Sequence, residues 1–202
     1  MNCLAVDTSG NHLTILIFKG EEVFCSFKED IGLKHSLTLM EEVEALLLKA
    51  NLSLDGVDVF SAVVGPGSFT GIRIGVSAVK AFAYANNKKV LSVTSFDTLA
   101  YNSKESNVLA VIDARHDNYY IQKFIENKPQ TPAFVSLDEL KELALGFTVL
   151  SSTNLPIEHK IVSVKDGLIE AIKANISNQT EDREVLVPLY VKKSQAEEEL
   201  KW

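Results

Sequence analysis

The run Val63-Val64-Gly65-Pro66-Gly67-Ser68-Phe69-Thr70-Gly71-Ile72-Arg73-Ile74-Gly75 restricts this chain more than any other stretch. An apolar segment from Val59 to Val64, with Ser61 inside it, stops at Gly-Pro-Gly, and an almost wholly apolar pattern of helical length follows. Strand, glycine turn and helix together aim backbone N–H groups and the positive end of a helix at one point. Ser68 or Thr70 can cap that helix through a side-chain oxygen. Gly67 and Gly71 permit close backbone approach, and Pro66 stiffens the entry. Three known patterns fail here. No Gly-Lys pair follows, as a Walker loop needs; Thr70 stands where the third glycine of a dinucleotide turn belongs; Phe69 occupies the centre of what would be a hydrolase elbow. The spacing leaves two readings open, an anion-binding turn and a tight strand-to-helix connection.

Before this stretch, the pattern predicts a short strand from Leu4 to Val6 ending in Asp7, a turn over Thr8-Ser9-Gly10-Asn11, and a strand from His12 to Phe18 that is apolar on both faces. A third strand, Glu22 to Phe27, follows the turn at Lys19-Gly20. Helix one is expected over Ser36 to Asn51, with Leu39, Val43, Leu46 and Ala50 as its core stripe. Leu37, Met40, Leu47 and Leu48 widen the apolar arc beyond what one sheet needs. Helix two, Ile72 to Asn86, is apolar nearly all round, and Gly75, Ala78 and Ala81 are small enough for another element to come close. A surface of that kind has two readings, deeper burial within the monomer and a partner surface, and the second is the one carried forward. The expected interface residues are Leu37, Met40, Val43 and Leu47 on helix one and Ile72, Val76, Val79 and Ala83 on helix two. That face is expected to be open in the isolated chain, which would then form a homodimer through it.

After a strand over Lys89 to Val93 and a helix from Ser95 to about Tyr101, the polar segment Asn102 to Asn107 marks a lobe boundary, dividing the chain into residues 1–102 and 103–202. Leu109-Ala110-Val111-Ile112-Asp113, followed by a strand over Tyr119 to Ile125, echoes Leu4-Ala5-Val6-Asp7 and its following strand. Ser136-Leu137-Asp138-Glu139 is a capping-box start. A short strand over Phe147 to Leu150 and a helix over Ser163 to Ile176 complete the second lobe, and the polar end Ala196 to Trp202 is expected to fray. No stretch in this half matches the glycine turn of the first.

A net charge of −7, with 20 basic residues scattered among 27 acidic ones, argues against nucleic-acid binding by this chain alone. No basic segment precedes an apolar run at the N-terminus, and no apolar run reaches the length of a membrane-spanning helix.

The string Gly-Pro-Gly-Ser-Phe-Thr-Gly-Ile-Arg-Ile-Gly, together with Asp7-Thr8-Ser9 and, less tightly, Asp113-Ala114-Arg115 and Pro188-Leu189-Tyr190-Val191-Lys192, resembles the TsaB (YeaZ) family of bacterial tRNA-modification proteins. The resemblance implies an α/β, actin-like and sugar-kinase-like fold of two similar lobes, each with a mixed sheet. It implies a cytoplasmic, non-catalytic subunit that pairs with the catalytic paralogue TsaD and the ATPase TsaE to make threonylcarbamoyladenosine, meeting tRNA only within the complex. Family members meet their partner through the two helices singled out above. If the first and third strands flank the second, as the family fold implies, Cys3 and Cys25 lie about 9–10 Å apart, beyond disulfide reach.

Asp7 beside Thr8 and Ser9 stands where an actin-like ATPase places its phosphate hairpin; the alternative is an Asx-type turn capping its own backbone. Asp7, Thr8, Ser9, Gly67, Ser68 and Arg73 are therefore the candidate nucleotide or phosphate contacts. Arg73 is oddly placed at a positive helix end, which leaves two readings open, a nearby carboxylate or phosphate and a solvated surface arginine. An independent ATPase or small-substrate kinase built on Asp7, Ser9 and Gly67 is the competing function. No two of His12, His35, His116 and His159 stand at metal-ligand spacing, so no metal, cofactor or catalytic residue is assigned.

Overall fold

The computed structural model describes residues 1–31 and 34–192; the polar end expected to fray lies outside them. Two compact units emerge among the described residues, one formed by Met1–Ser95 with Ala171–Pro188, the other by Phe96–Glu170 with residues 189–192. The division falls at Ser95–Phe96 rather than in the polar segment after Asn102, and the chain returns to the first unit near its end. Composition marked the polar stretch, but that stretch is a surface turn leaving α3 (Ser95–Ala100), which belongs almost wholly to the second unit.

The first unit holds a five-stranded sheet in the order β3-β2-β1-β4-β5, from β1 (Asn2–Asp7), β2 (Leu13–Lys19), β3 (Glu22–Lys28), β4 (Val59–Val63) and β5 (Lys89–Val93). β1, β2 and β3 are antiparallel, while β1, β4 and β5 run parallel. The near-continuous apolar run of β2 has its reason in burial: all residues from Leu13 to Phe18 are enclosed, on both faces of the strand. Cys3 and Cys25 lie on β1 and β3 with β2 between them, and form no disulfide. Burial pushes the Cys3 thiol up to about 12.

α1 (His35–Lys49) lies against β2 and β3, and α2 (Phe69–Ala85) against β4, β1 and β5; the two helices pack beside each other. The stripe Leu39, Val43, Leu46 and Ala50 is buried, as its spacing requires.

The second unit repeats the plan. β6 (Val108–Asp113) and β7 (Asn118–Ile125) form the counterpart hairpin, flanked by β8 (Lys128–Pro129) and β9 (Ala133–Ser136) on one side and by β10 (Thr148–Ser151) and β11 (Lys160–Ile161) on the other. α4 (Leu137–Leu143) starts at the expected capping box, where Ser136 Oγ accepts from the Glu139 amide and the Glu139 carboxylate accepts from the Ser136 amide. α5 (Val164–Asn175) follows β11. The repeat breaks at one place. β4 and β5 are joined by the glycine turn and α2, whereas residues 152–159, which join the parallel strands β10 and β11, form no helix.

Candidate functional site

The glycine turn docks against the hairpin that ends β1. Ser68 N donates to the Ser9 carbonyl at 2.7 Å, Thr8 Oγ1 donates to the Gly71 carbonyl at 2.7 Å, and Ser68 caps α2 by accepting from Gly71 N at 3.2 Å. The spacing of Gly67, Gly71 and Gly75 acquires a physical reason here. A Cβ on Gly67 would sit 2.2 Å from the Ser9 carbonyl oxygen, one on Gly71 2.1 Å from the Thr8 carbonyl oxygen, and one on Gly75 2.4 Å from Thr8 Oγ1. Gly67 in the turn and Gly71 and Gly75 on α2, each four residues apart, thus leave one bare edge: the carbonyls of Ser9 and Thr8 rest against the first two and the Thr8 side chain against the third. Of the two readings left open by the spacing, the tight connection accounts for these contacts.

Asp7, Thr8 and Ser9 are buried; Gly67, Ser68 and Arg73 are exposed. The Asp7 carboxylate is engaged twice within its own hairpin. Oδ1 accepts from Ser9 N at 2.8 Å, an Asx-type turn, and Oδ2 lies 3.0 Å from His12 Nε2. Burial alone would raise the Asp7 carboxyl, but the charge and hydrogen bond of His12, with hydrogen bonds from Ser9, hold it below its ordinary value. For His12, burial opposes protonation; the Asp7 carboxylate, with Glu29 at longer range, outweighs it and raises the imidazole. Both shifts favour the charged pair. His35, the first residue of α1, is buried and its Nε2 donates to the His12 carbonyl at 2.9 Å, tying helix to hairpin. His12 had been assigned no role in the sequence. The equivalent turn of the second unit carries the same backbone device, Arg115 N donating to Asp113 Oδ1 at 2.7 Å.

The Asp7–His12 pair has a pH signature. The depressed Asp7 value means its stabilisation is present above the unfolded carboxyl value near 3.8 and is lost as pH falls. The raised His12 value means its share is complete below about 6.5 and is lost as pH rises through the folded value. The gap in melting temperature between the parent chain and His12→Gln should therefore be widest between about pH 4 and about pH 6.5, and narrow on either side. A gap that does not change with pH would show that the pair is not charged.

Arg73 stacks on the Phe69 ring one turn back, 3.8 Å from its centroid, so its position at a helix start is supported by a cation–π contact.

The helix faces differ from the sequence-based expectation. Ile72, Val76, Val79 and Ala83 are buried inside the first unit, as is Val43 of α1. They belong to the core of the lobe because α2 turns them onto the sheet, where Phe82, on the same side, packs against Phe60 of β4 with ring centroids 5.9 Å apart. The outward face of α2 carries Thr70, Arg73, Ser77, Ala81 and Tyr84. On α1, Leu37, Met40 and Leu48 are 77%, 54% and 75% exposed, and Leu47 is half-buried. Two adjacent helices thus present large apolar side chains from one and small residues, flanked by aromatics, from the other. At its C-terminal end this face meets the returning segment, where Glu184 accepts from Lys80 Nζ and Tyr84 Oη at 3.3 and 3.1 Å, and Arg183 stacks over the Tyr84 ring.

Among the described residues, no group of three His, Cys, Asp or Glu side chains gathers as a metal site, and no helix is long and apolar enough to cross a membrane.

Comparison with known proteins adds an independent line. The family model described as TsaD, tRNA N6-adenosine threonylcarbamoyltransferase, matches residues 29–146, more than half of the chain. The tRNA threonylcarbamoyladenosine biosynthesis protein TsaB of Buchnera aphidicola subsp. Schizaphis graminum is 22% identical over 189 residues, covering 92% of this chain and 87% of that relative. TsaB of Bacillus subtilis is 31% identical over 122 residues, covering 59% of this chain and 53% of the relative, about half its length. The solved structure of YeaZ from Pseudomonas aeruginosa superposes with a TM-score of 0.77 at 22% identity, covering 94% of this chain and 99% of that one. The superposition bears out the two-lobed, actin-like and sugar-kinase-like fold.

Proposed function

This chain belongs to the family of the TsaD threonylcarbamoyltransferase model, on its TsaB (YeaZ) branch, and from that premise we propose that it is the non-catalytic partner subunit in tRNA threonylcarbamoyladenosine biosynthesis. It pairs with the catalytic paralogue TsaD, works with the ATPase TsaE in the cytoplasm, and meets tRNA only through the complex. The observation that carries this reading is the outward surface of α1 and α2. Leu37, Met40 and Leu48 are large, apolar and solvent-facing, and they stand beside a helix whose outward residues Ser77 and Ala81 are small enough for close helix approach. The acidic balance of the chain fits a subunit that leaves tRNA phosphates to others.

An independent ATPase or kinase is less well supported, because the groups it would use are spent on the fold. The Asp7 carboxylate is held by His12 and the Ser9 amide, and the Ser68 amide is bonded to the Ser9 carbonyl.

Leu48→Glu tests the surface. The site is exposed, so the variant should fold like the parent, as circular dichroism would record. Its affinity for the catalytic paralogue by titration calorimetry should fall by about 2 kcal/mol, the size of an interface hot spot. In the absence of that partner, the same face should support a weaker homodimer, which sedimentation of the variant would show reduced. Parent-like affinity in the folded variant would refute the assignment.

A further inference from the structure

The first unit encloses a cleft of about 520 Å³ at the end of its parallel strands away from the glycine turn. Its walls come from three places in the chain: Asp58 just ahead of β4, the turn from α2 into β5, and the returning segment. The local sequence positions each. Past the end of α2, Asn87 takes a φ of 48°, the left-handed conformation that asparagine tolerates beyond a helix end. Asn87 N donates to the Tyr84 carbonyl at 3.3 Å and Lys88 N to the Ala83 carbonyl at 3.0 Å. The turn thus satisfies carbonyls of the helix end and delivers Lys88 and Lys89 to the cleft. Val90 N donates to the Thr180 carbonyl at 2.8 Å and Thr180 N to the Val90 carbonyl at 2.9 Å, which pins Gln179, Glu181 and Arg183 beside β5.

Lys88, Lys89 and Arg183 line this space, and none of them makes a salt bridge among the described residues; Lys88 exerts only a charge effect on Asp55. Arg183 is nonetheless held in place. Its Nη2 donates to Asn87 Oδ1 at 2.9 Å, and the guanidinium lies over the Tyr84 ring, 4.9 Å from the centroid. Its Nε is enclosed with no acceptor among the described residues, and a buried donor left unpaired is costly. A planar fork fixed in this way, with a donor unspent, suits the oxygens of a phosphate. Two carboxylates share the cleft. Asp58 Oδ2 accepts from the Asn2 amide at 2.7 Å, while Glu181 has no side-chain hydrogen bond among the described residues. They leave the lining net positive in a chain whose overall charge is −7. No aromatic side chain lines the cleft, so nothing there offers a platform for a nucleobase. Carboxylates beside the carboxamides of Asn87 and Gln179 match hydroxyl groups instead, which both donate and accept.

We propose that this cleft binds the phosphate monoester of a small polyhydroxylated molecule, a sugar phosphate. The phosphate sits on Lys88, Lys89 and Arg183, and the hydroxyl groups on Asp58 and Glu181. The site uses none of Leu37, Met40 or Leu48, so it stands or falls independently of the partner-subunit reading.

Titration calorimetry of the full chain, with glucose 1-phosphate as the probe, tests this at low ionic strength, where exposed charges are least screened. Phenyl phosphate, which carries the same phosphate but no sugar hydroxyls, and inorganic phosphate are the comparisons. Glucose 1-phosphate should saturate a single site and bind about tenfold more tightly than either, the size of one charge-assisted hydrogen bond. Lys89→Gln, at an exposed position, should weaken it about tenfold with an unchanged melting temperature, and Arg183→Gln should weaken it further. Glu181→Ala, also exposed, should bring glucose 1-phosphate down to the level of phenyl phosphate. No saturable binding of glucose 1-phosphate would overturn the proposal. Equal affinities for the three ligands would do the same, showing an adventitious ion only. So would parent-like binding by folded Lys89→Gln, which would place the sugar phosphate elsewhere.

Discussion

Val79→Glu is expected to cost this protein its folded state at ordinary temperature, not merely its partner. Val79 is fully enclosed, on the side of α2 that faces β4 and β1, beside Ile72, Val76 and Ala83. A carboxylate placed there has no described counter-charge on that face and loses its hydration. An uncompensated buried charge destabilises by about 3–5 kcal/mol, and the lost valine packing adds to that. Against a typical total of about 5–15 kcal/mol, a chain of this size would retain little or no cooperative transition. Urea unfolding followed by circular dichroism measures the effect, and part of it should be recovered at acid pH, where the introduced carboxyl protonates. A parent-like midpoint would show that this face is open after all and return it to the partner surface.

Gly71→Ala should also be strongly damaging, although it adds a single methyl group. The new Cβ would fall 2.1 Å from the Thr8 carbonyl oxygen and 3.1 Å from Ser68 Oγ. The first obstacle is backbone, so no side-chain rotation relieves it; α2 must lift from the hairpin. That movement also strains the Thr8 hydroxyl bond to the Gly71 carbonyl. Overpacking costs about 1–3 kcal/mol and a weakened hydrogen bond about 1 kcal/mol, giving a loss of roughly 2–4 kcal/mol. Gly146→Ala is the control, since nothing lies near its Cβ position and only its φ of 81° opposes the change. Thermal unfolding should rank the two clearly; equal midpoints would remove close approach as the reason for the glycine at position 71.

Much of this architecture could be read from residues alone, and the failures share a cause. β2 and the core stripe of α1 were legible because burial leaves a periodic trace in one strand or one helix face. α2 is apolar on nearly every side, so its pattern carries no phase, and Ile72, Val76, Val79 and Ala83 were turned outward when they face in. The sparse polar residues did hold the phase: Thr70, Arg73, Ser77 and Tyr84 fall on one face, and it is the exposed one. The motif at Gly67–Gly75 was visible, but its meaning lay in carbonyl oxygens of Thr8 and Ser9, some 60 residues earlier, which no local pattern displays. The Asp7–His12 pair was missed for a related reason, since a hairpin decides which side chains meet across its turn through conformation more than composition. The bridge between Val90 and Thr180 is non-local in the same way.

The return of residues 171–188 to the first unit bears on how the molecule is made. The unit that begins the chain cannot be finished by its first 95 residues, because Leu186, which is fully enclosed, and the strand-like contact of Thr180 at β5 come from beyond the whole second unit. On a ribosome adding about 5–20 residues per second, the intervening stretch from Phe96 to Glu170 takes roughly 4–15 s to synthesise. During that interval a nascent sheet has its β5 flank bare while its neighbour is still emerging. The interleaving also means that no single cut yields both halves intact: cleavage at 95 leaves one fragment without its closing segment and the other carrying a segment that belongs elsewhere.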